Sequence, residues 1–299
     1  MAIAPETVVN PPRTERGRGG LLDTFDPIRP QDAMWRVGFT FQPLGGCLEA
    51  TSYAPCVATD RDPVRSDAEN PIFIPIEIEG AYTCGTAGFQ VAEYRAHAES
   101  ILDEWTSHRL EDELWTGDLA VTNSLPTPFL TNPLSLTILN SGDPIPLPYA
   151  LARLQRQLRS CLGGGRGVIH ARSDVVSLWQ QSGAVFVSGA SGALLDVFGN
   201  FVVSGSGYDG SSPYTEALNE IVPGTSTVDA TDATAWAYGT GLLDVYLDDA
   251  VIRPDKMSEA LTRGTNDVTF YAGRVAAASF DPCCHLGINV DLNSTCAPA

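Results

Sequence analysis

The residues in this chain that could bind a metal are a few cysteines, one histidine beside them and two acidic pairs. Cys283, Cys284 and His285 are adjacent and are zinc-ligand types, but no C-x-x-C or H-x-x-x-H pair completes a tetrahedral set. Asp60/Asp62 and Asp248/Asp249 are pairs that could hold a hard cation, although loops this acidic are usually just solvated. We therefore expect no metal site and no cofactor.

Two glycine-rich segments and one histidine are the remaining candidates for catalysis. Gly163–Gly167 lacks the lysine of a phosphate-binding loop and lies between a predicted helix and a predicted strand, which indicates a turn. Gly189-Ala190-Ser191-Gly192 is not a nucleophile elbow, because its second glycine comes one place early. His170 follows an apolar strand and is expected to be a packed histidine. A hydrolase with a serine nucleophile and His170 as its base stays open as the enzyme alternative.

Composition narrows the function further. The 299 residues carry a net charge of −18, and seventeen of the eighteen cationic residues are arginines, which are spread thinly. This disfavours an open nucleic-acid-binding face, since such a face needs clustered cations. No apolar run approaches the roughly 20 residues that span a bilayer, and the N-terminus has no signal-peptide pattern, so we expect synthesis and retention in a cytoplasm. The seven cysteines suggest no disulfide framework, and Cys161 is expected to be a small core residue.

The first third of the chain alternates irregular and extended segments. Residues 1–34 contain five prolines, a glycine cluster and the arginines Arg13, Arg16 and Arg18, which predicts an unstructured tail or an arm that lies on a neighbour. Residues 72–79 alternate, with Ile74, Ile76 and Ile78 on one face of a strand. Pro75 removes a ladder donor, so an edge strand or a projecting hairpin is expected there.

The longest predicted element is an amphipathic helix at about 90–116, ended by Gly117. Its apolar positions fall near helical spacing; they are Val91, Tyr94, Ala98, Ile101, Leu102, Trp105 and Leu114. A second helix at about 149–162, a buried strand at 167–171, a helix at 174–181 capped by Ser173 and a hairpin at 194–204 follow. Strands dominate after residue 235. This mixture predicts an α+β or α/β fold.

The order of these elements resembles the major capsid proteins of tailed bacteriophages, whose Hong Kong 97 type fold is shared with encapsulins. The long helix, which ends Glu111-Asp112-Glu113-Leu114-Trp115-Thr116-Gly117, is similar to the spine helix of that family. An N-terminal arm and an extended loop region returning at 72–79 precede it. The segments 151–162, 168–171 and 173–181 are similar to the axial domain. The stretches 235–249, 267–278 and 285–292, with Pro282 before the last, resemble the terminal strands.

The resemblance implies an α+β capsid fold, no catalysis and no cofactor. It places the N-terminal arm at 1–40, the extended loop at 41–88, the peripheral domain at 89–145 and 256–299, and the axial domain at 146–255. Copies would form hexamers and pentamers of an icosahedral head around double-stranded DNA, without sequence-specific binding and without a membrane. Scaffolding, portal and decoration proteins are further candidate partners, in a virion assembled in the host cytoplasm. The candidate assembly contacts are Arg13, Arg16, Arg18, Ile74, Ile76, Ile78, Glu99, Arg109, Arg153 and Arg156.

Two further structural alternatives stay open beside the hydrolase: an encapsulin-type nanocompartment, and a phage neck or tail protein, which would form a small ring and not a closed shell. One departure from the family is informative. Some members weld their shells by Lys–Asn isopeptide bonds from a lysine on the extended loop, and residues 35–88 contain no lysine. We therefore expect no such cross-links.

Overall fold

The computed structural model describes residues 19–41, 70–85, 91–189, 192–213, 233–262, 264–265 and 267–293. These residues form two larger β-sheets, a two-stranded ribbon and six α-helices. The helices are α1 (Leu21–Thr24), α2 (Val91–Thr116), α3 (Asp118–Thr122), α4 (Leu147–Cys161), α5 (Ser173–Gln181) and α6 (Met257–Ala260), with 3-10 turns at Ala33–Val37 and Leu139–Gly142. The ribbon pairs β1 (Phe39–Thr40) with β2 (Ile72–Phe73).

The five-stranded sheet is built around one long strand. Its strands are β3 (Ile76–Gly85), β11 (Leu243–Leu247), β12 (Val251–Arg253), β13 (Leu261–Thr262) and β14 (Asp267–Phe280). All four other strands pair antiparallel with β14, and β3 does so over ten residues. Because β14 is its single strand partner among the described residues, β3 is an edge strand, as predicted. The single strand predicted over 72–79 is wrong, because the stretch divides at Ile74 and Pro75 into β2 and β3, which belong to different sheets.

The eight-stranded sheet is mixed. Its strands are β4 (Thr137–Ile138), β5 (Ile145–Pro146), β6 (Val168–Ala171), β7 (Val185–Val187), β8 (Leu194–Asp196), β9 (Phe201–Val203), β10 (Thr234–Thr240) and β15 (His285–Asp291). The order is β4-β15-β10-β6-β9-β8-β7, with β5 also paired to β15. The β6–β9 pair and the pairs of β15 with β4 and β5 are parallel, and the other pairs are antiparallel.

Helix α2 covers one face of the five-stranded sheet. Tyr94, Ala98 and Leu102 follow one another at helical spacing, and none of their surface is exposed. Gly80 permits the close approach, because a Cβ at this position would lie 2.8 Å from the backbone nitrogen of Leu102. Each large apolar side chain buried in this way contributes about 1.5–3 kcal/mol. The long helix is thereby fixed on its own sheet.

Helices α4 and α5 cover the eight-stranded sheet and form a second core. Leu154 and Leu158 of α4 and Trp179 of α5 are completely buried there, beside Ile169 of β6. The Trp179 indole N–H donates to the carbonyl of Leu147 at 3.1 Å, so its polar atom is satisfied as well.

Most of the predicted elements are confirmed. The helix predicted at 90–116 is α2, that at 149–162 is α4, and the strand at 167–171 is β6. The hairpin predicted at 194–204 is β8 and β9, and the glycine run after α4 is a turn in which Gly163 and Gly164 have φ angles of +59° and +86°. Helix α5 begins at Ser173 itself, so Ser173 is not its N-cap, and the Asp174 carboxylate accepts the Val175 N–H at 2.8 Å.

The sheets do not follow the predicted domain boundaries. β15, which we predicted in the peripheral domain, lies inside the eight-stranded sheet beside β10. β11 and β12 fall in the predicted axial range but pair with β14. The cause is the alternation of the last strands between the two sheets, which a linear division of the chain does not represent.

The described part of the predicted arm is bound to its own chain. Leu21 is fully buried, the Ile28 N–H donates to Val245 at 2.7 Å, and the Leu247 N–H donates back to Ile28 at 3.0 Å. Phe39 stacks on Phe73, with 5.8 Å between the ring centroids. The prediction of an arm on a neighbouring copy therefore concerns residues 1–18, which lie outside the described residues.

Candidate assembly surfaces

A buried carboxylate on α2 joins three separate segments of the chain. Glu111 is completely buried, and one of its oxygens accepts the Leu21 N–H at 2.8 Å and the Ser107 hydroxyl at 2.9 Å. The other oxygen accepts the Ser206 hydroxyl at 3.0 Å and the Gly207 N–H at 3.3 Å. A buried carboxyl group is tolerated when its oxygens are hydrogen-bonded in this way. Glu111 thus ties the N-terminal segment and the 205–213 loop to the long helix.

The loop can reach the helix because it lacks side chains at the contact. A Cβ at Gly207 would lie 2.4 Å from the backbone nitrogen of Asp112 and 2.5 Å from the carbonyl oxygen of His108. A Cβ at Gly205 would lie 2.9 Å from the carboxyl carbon of Glu111. The glycines of this segment therefore serve close packing.

His170 is a packed core histidine, as predicted. None of its surface is exposed, its Nδ1 lies 2.9 Å from the Tyr208 hydroxyl, and its Nε2 lies 3.1 Å from the Thr240 hydroxyl. Burial lowers the pKa of His170 to about 3. Because both ring nitrogens are engaged and no solvent reaches them, His170 is not placed to act as a base on a substrate.

His285 forms the Ser–His contact that a hydrolase would require, but the histidine ring is buried away from solvent. Its Nδ1 lies 3.0 Å from the Ser135 hydroxyl, and its Nε2 lies 2.9 Å from the carbonyl oxygen of Leu130. The ring is 1% exposed, and desolvation lowers the pKa of His285 to about 4. A backbone carbonyl stands where a triad has its acid, so the arrangement serves to satisfy a buried ring.

One cysteine near the end of the chain is linked to helix α4. Cys161 at the end of α4 forms a disulfide with Cys284, with 5.8 Å between their Cα atoms. The prediction that Cys161 is simply a small core residue is therefore wrong, because the turn before β15 brings Cys284 against α4. In the ranges that the structure describes, no three His, Cys, Asp or Glu side chains come together as a metal site.

The candidate assembly contacts that can be located fall into three groups. Glu99 and Arg109 are exposed on α2, and the Arg109 guanidinium lies 5.8 Å from the centre of the Trp105 ring. Arg153 and Arg156 are exposed on α4. Ile74 and Ile76 are half-buried and line a small cleft with Leu110 and Pro128 of the same chain. The three arginines Arg13, Arg16 and Arg18 lie outside the described residues.

Ile78 is the exception among these candidates. It is 5% exposed and belongs to the core between α2 and the five-stranded sheet. The pleat gives the reason: Ile78 points toward α2, whereas Glu77 and Glu79 point away from it and are exposed. Ile78 is therefore a core residue and no candidate for contact with another chain.

Several exposed apolar side chains did not stand out in the sequence. Trp105, predicted in the apolar stripe of α2, is 50% exposed, and Leu134 is 93% exposed. Val197 and Phe198 at the β8–β9 turn are 59% and 51% exposed. Helical spacing alone cannot distinguish Trp105 from the buried residues of α2. Whether a residue at the edge of the apolar stripe is buried depends on what packs against the helix there. Exposed apolar groups of this size are typical of surfaces that another chain covers.

No protein-family model and no curated protein sequence matches the chain. Solved structures do match it. The capsid of the native GTA particle is similar with a TM-score of 0.55 and 11% sequence identity, covering 97% of this chain and 96% of that one. The capsid of the empty GTA particle has a TM-score of 0.53 and 11% identity, covering 97% and 95%. The SrpI encapsulin of Synechococcus elongatus has a TM-score of 0.46 and 10% identity, covering 77% and 79%.

The two GTA capsid likenesses extend over nearly the whole chain, so the similarity of fold is not confined to one part of it. Within the described ranges, no helix is both long and apolar enough to cross a lipid bilayer.

Proposed function

We propose that this chain, which has the α+β Hong Kong 97 type capsid fold, is the major capsid protein of a tailed-phage-like particle. The observation that carries the proposal is the likeness to the GTA capsid protein across 97% of the chain. In this proposal the chain has a structural role and no catalytic one. Many copies, arranged as hexamers and pentamers, build an icosahedral head that encloses double-stranded DNA in a virion.

The surface of the chain supports a role in assembly. Trp105 and Phe198 are large aromatic groups left half exposed, beside Arg109 and Arg159 respectively. Aromatic residues and arginine are the residue types enriched where protein chains meet. An obligate interface between copies buries about 2,000 Å2 or more, and a single chain can bury that surface only against its neighbours.

The net charge of −18 suits a container for DNA. A wall that bound the duplex tightly would hold it in place, whereas an acidic wall lets the DNA move during packing and release. Contacts with scaffolding, portal and decoration proteins, and assembly in a host cytoplasm, belong to this proposal as well.

Expression of the full chain, followed by sedimentation and negative-stain microscopy, tests the proposal. Closed particles of megadalton mass are the expected result, and a stable monomer or a small ring would contradict it. Nuclease-resistant DNA inside the particles would separate a phage head from an encapsulin-type compartment. Esterase activity of a monomer would instead favour the hydrolase alternative.

A further inference from the structure

Helix α4 and the turn that follows it carry a concentration of positive charge that is unusual for this acidic chain. The fifteen residues of α4 include three arginines, Arg153, Arg156 and Arg159, and no acidic residue. Helix α2, in contrast, has seven acidic residues and two arginines among twenty-six. Arg166 extends the cluster, since its Nε would lie 3.4 Å from a Cβ built on Gly199 in the β8–β9 turn.

Within the described ranges, these arginines lack a carboxylate partner, whereas most of the other cations have one. Among the described residues, six arginines have a carboxylate oxygen within 4 Å: Arg29, Arg36, Arg95, Arg109, Arg172 and Arg274. The described cations without such a partner are Arg153, Arg156, Arg159, Arg166, Arg253 and Lys256. Four of these six belong to α4 and its following turn.

An exposed aromatic group lies within the same cluster. The Arg159 guanidinium is 4.9 Å from the centre of the Phe198 ring, and Val197 and Phe198 are both more than half exposed. Arginine over an aromatic face is an arrangement suited to bidentate recognition of a carboxylate.

The cluster is held rigidly before any partner arrives. Asp196 beneath the turn is fully buried, and it accepts the N–H of Phe198 at 2.8 Å and that of Asn200 at 2.9 Å. It also accepts the side-chain amide of Gln155 on α4 at 2.9 Å, which ties the turn to the helix. Both carboxyl oxygens of Asp196 are therefore used in hydrogen bonds within the chain. A preorganised surface loses little side-chain entropy on binding.

We propose that Arg156, Arg159, Arg166 and Phe198 form a docking surface for acidic side chains on a second copy of this chain. The inference rests on the proposed function, because a shell places copies side by side. Charge complementarity favours a second copy, since each copy carries a net charge of −18. The exposed Val197 and Phe198 favour a protein over a nucleic acid, because a phosphate backbone offers no apolar cover.

A photoreactive benzoylphenylalanine in place of Phe198, in particles of the full chain, tests the inference. After irradiation, a denaturing gel should show a band at the mass of two chains, and mass spectrometry should locate the cross-link near acidic residues of the second copy. Arg156→Gln, Arg159→Gln and Arg166→Gln together should lower the yield of that band about tenfold. The matched control, Arg253→Gln with Lys256→Gln, removes the other two unpaired cations and should leave the yield unchanged.

Each other result overturns the inference. Two results would refute the docking surface and leave the proposed function intact. The first is particles that show no two-chain band. The second is a band whose yield falls as much in the control variant as in the triple arginine variant. Cross-links to nucleic acid that disappear on nuclease treatment would assign the surface to DNA instead. A chain that forms no particles and remains monomeric would refute the docking surface and the proposed function together.

Discussion

Replacing Glu111 with alanine tests how the N-terminal segment and the 205–213 loop are held against α2. The substitution removes a buried carboxylate that accepts four hydrogen bonds, two of them from the backbone N–H groups of Leu21 and Gly207. The two serine hydroxyls can rotate toward other acceptors, but the two backbone N–H groups cannot.

The expected cost follows from those two groups. A buried N–H left without an acceptor costs about 1–3 kcal/mol, so the Glu111→Ala variant should lose about 4 kcal/mol of stability in total. At roughly 2–4 °C per kcal/mol for a chain of this size, the unfolding temperature should fall by about 10 °C. Glu111→Gln keeps one acceptor oxygen and should lose about half as much, because its amide group can no longer accept the second N–H.

Calorimetry and hydrogen exchange on the purified protein measure these effects. In Glu111→Ala, exchange at Leu21 and Gly207 should accelerate by up to about a thousandfold, the factor that corresponds to 4 kcal/mol. Glu104→Ala is the matched control, since Glu104 is an exposed carboxylate on the same helix, and it should change stability by no more than about 0.5 kcal/mol. A loss below about 1 kcal/mol in Glu111→Ala, or unchanged exchange at both positions, would refute the reasoning.

Three further predictions concern other buried contacts. As the pH is lowered from about 7.5 to about 5, each of His170 and His285 should reduce stability by about 2 kcal/mol. In the unfolded chain these histidines have the ordinary pKa of about 6.5, whereas in the folded chain the pKa is about 3 for His170 and about 4 for His285. A urea midpoint that stays constant over this range would contradict it. Gly207→Ala should cost about 1–3 kcal/mol of stability, because the new Cβ would overlap the backbone of α2. Gly264→Ala is the control, since no atom lies within 4 Å of a Cβ at that position, and it should leave stability unchanged. Equal urea midpoints for the two variants would exclude the close packing at Gly207. Asp196→Ala should lower the unfolding temperature by about 5–10 °C and loosen the β8–β9 turn, and unchanged hydrogen exchange at the turn would contradict its role.

The direction of the pH effect follows from linkage. Burial lowers the folded-state pKa of both histidines below the unfolded value. Their contribution to stability is therefore complete above about pH 6.5 and is lost progressively as the pH falls toward the folded-state pKa values. His170→Gln should remove about half of this dependence, which distinguishes the histidines from the carboxylates that titrate at lower pH.

Elements with a strong local pattern could be predicted from the sequence. Helix α2 was predicted to within one residue at its start, because its buried positions repeat at helical spacing. Strand β6 was predicted because a short apolar run lies between a glycine turn and a helix. The extension of β3 to Gly85 was missed, since Gly80 and Thr83 interrupt the alternation and the strand is specified by its partner β14 instead.

Contacts between distant segments could not be predicted. Glu111 was one of several acidic residues on α2 in the sequence, and its burial depends on Leu21, ninety positions earlier, and on Gly207. The packing of 19–41 was hidden by its proline and glycine content, which indicates irregular backbone but does not tell where that backbone lies. The arginine cluster was seen only in part, because Arg166 and Phe198 join α4 through the tertiary fold.

The order in which the strands are translated determines when the two sheets can be completed. β14, to which every other strand of the five-stranded sheet is paired, and β15, which joins β10 to β4 and β5, are translated after all the strands that they organise. A nascent chain that has not yet passed residue 266 thus has neither sheet complete, and β3 must wait about 190 positions for its partner. Any surface that depends on both sheets can therefore form only after β15 has been translated.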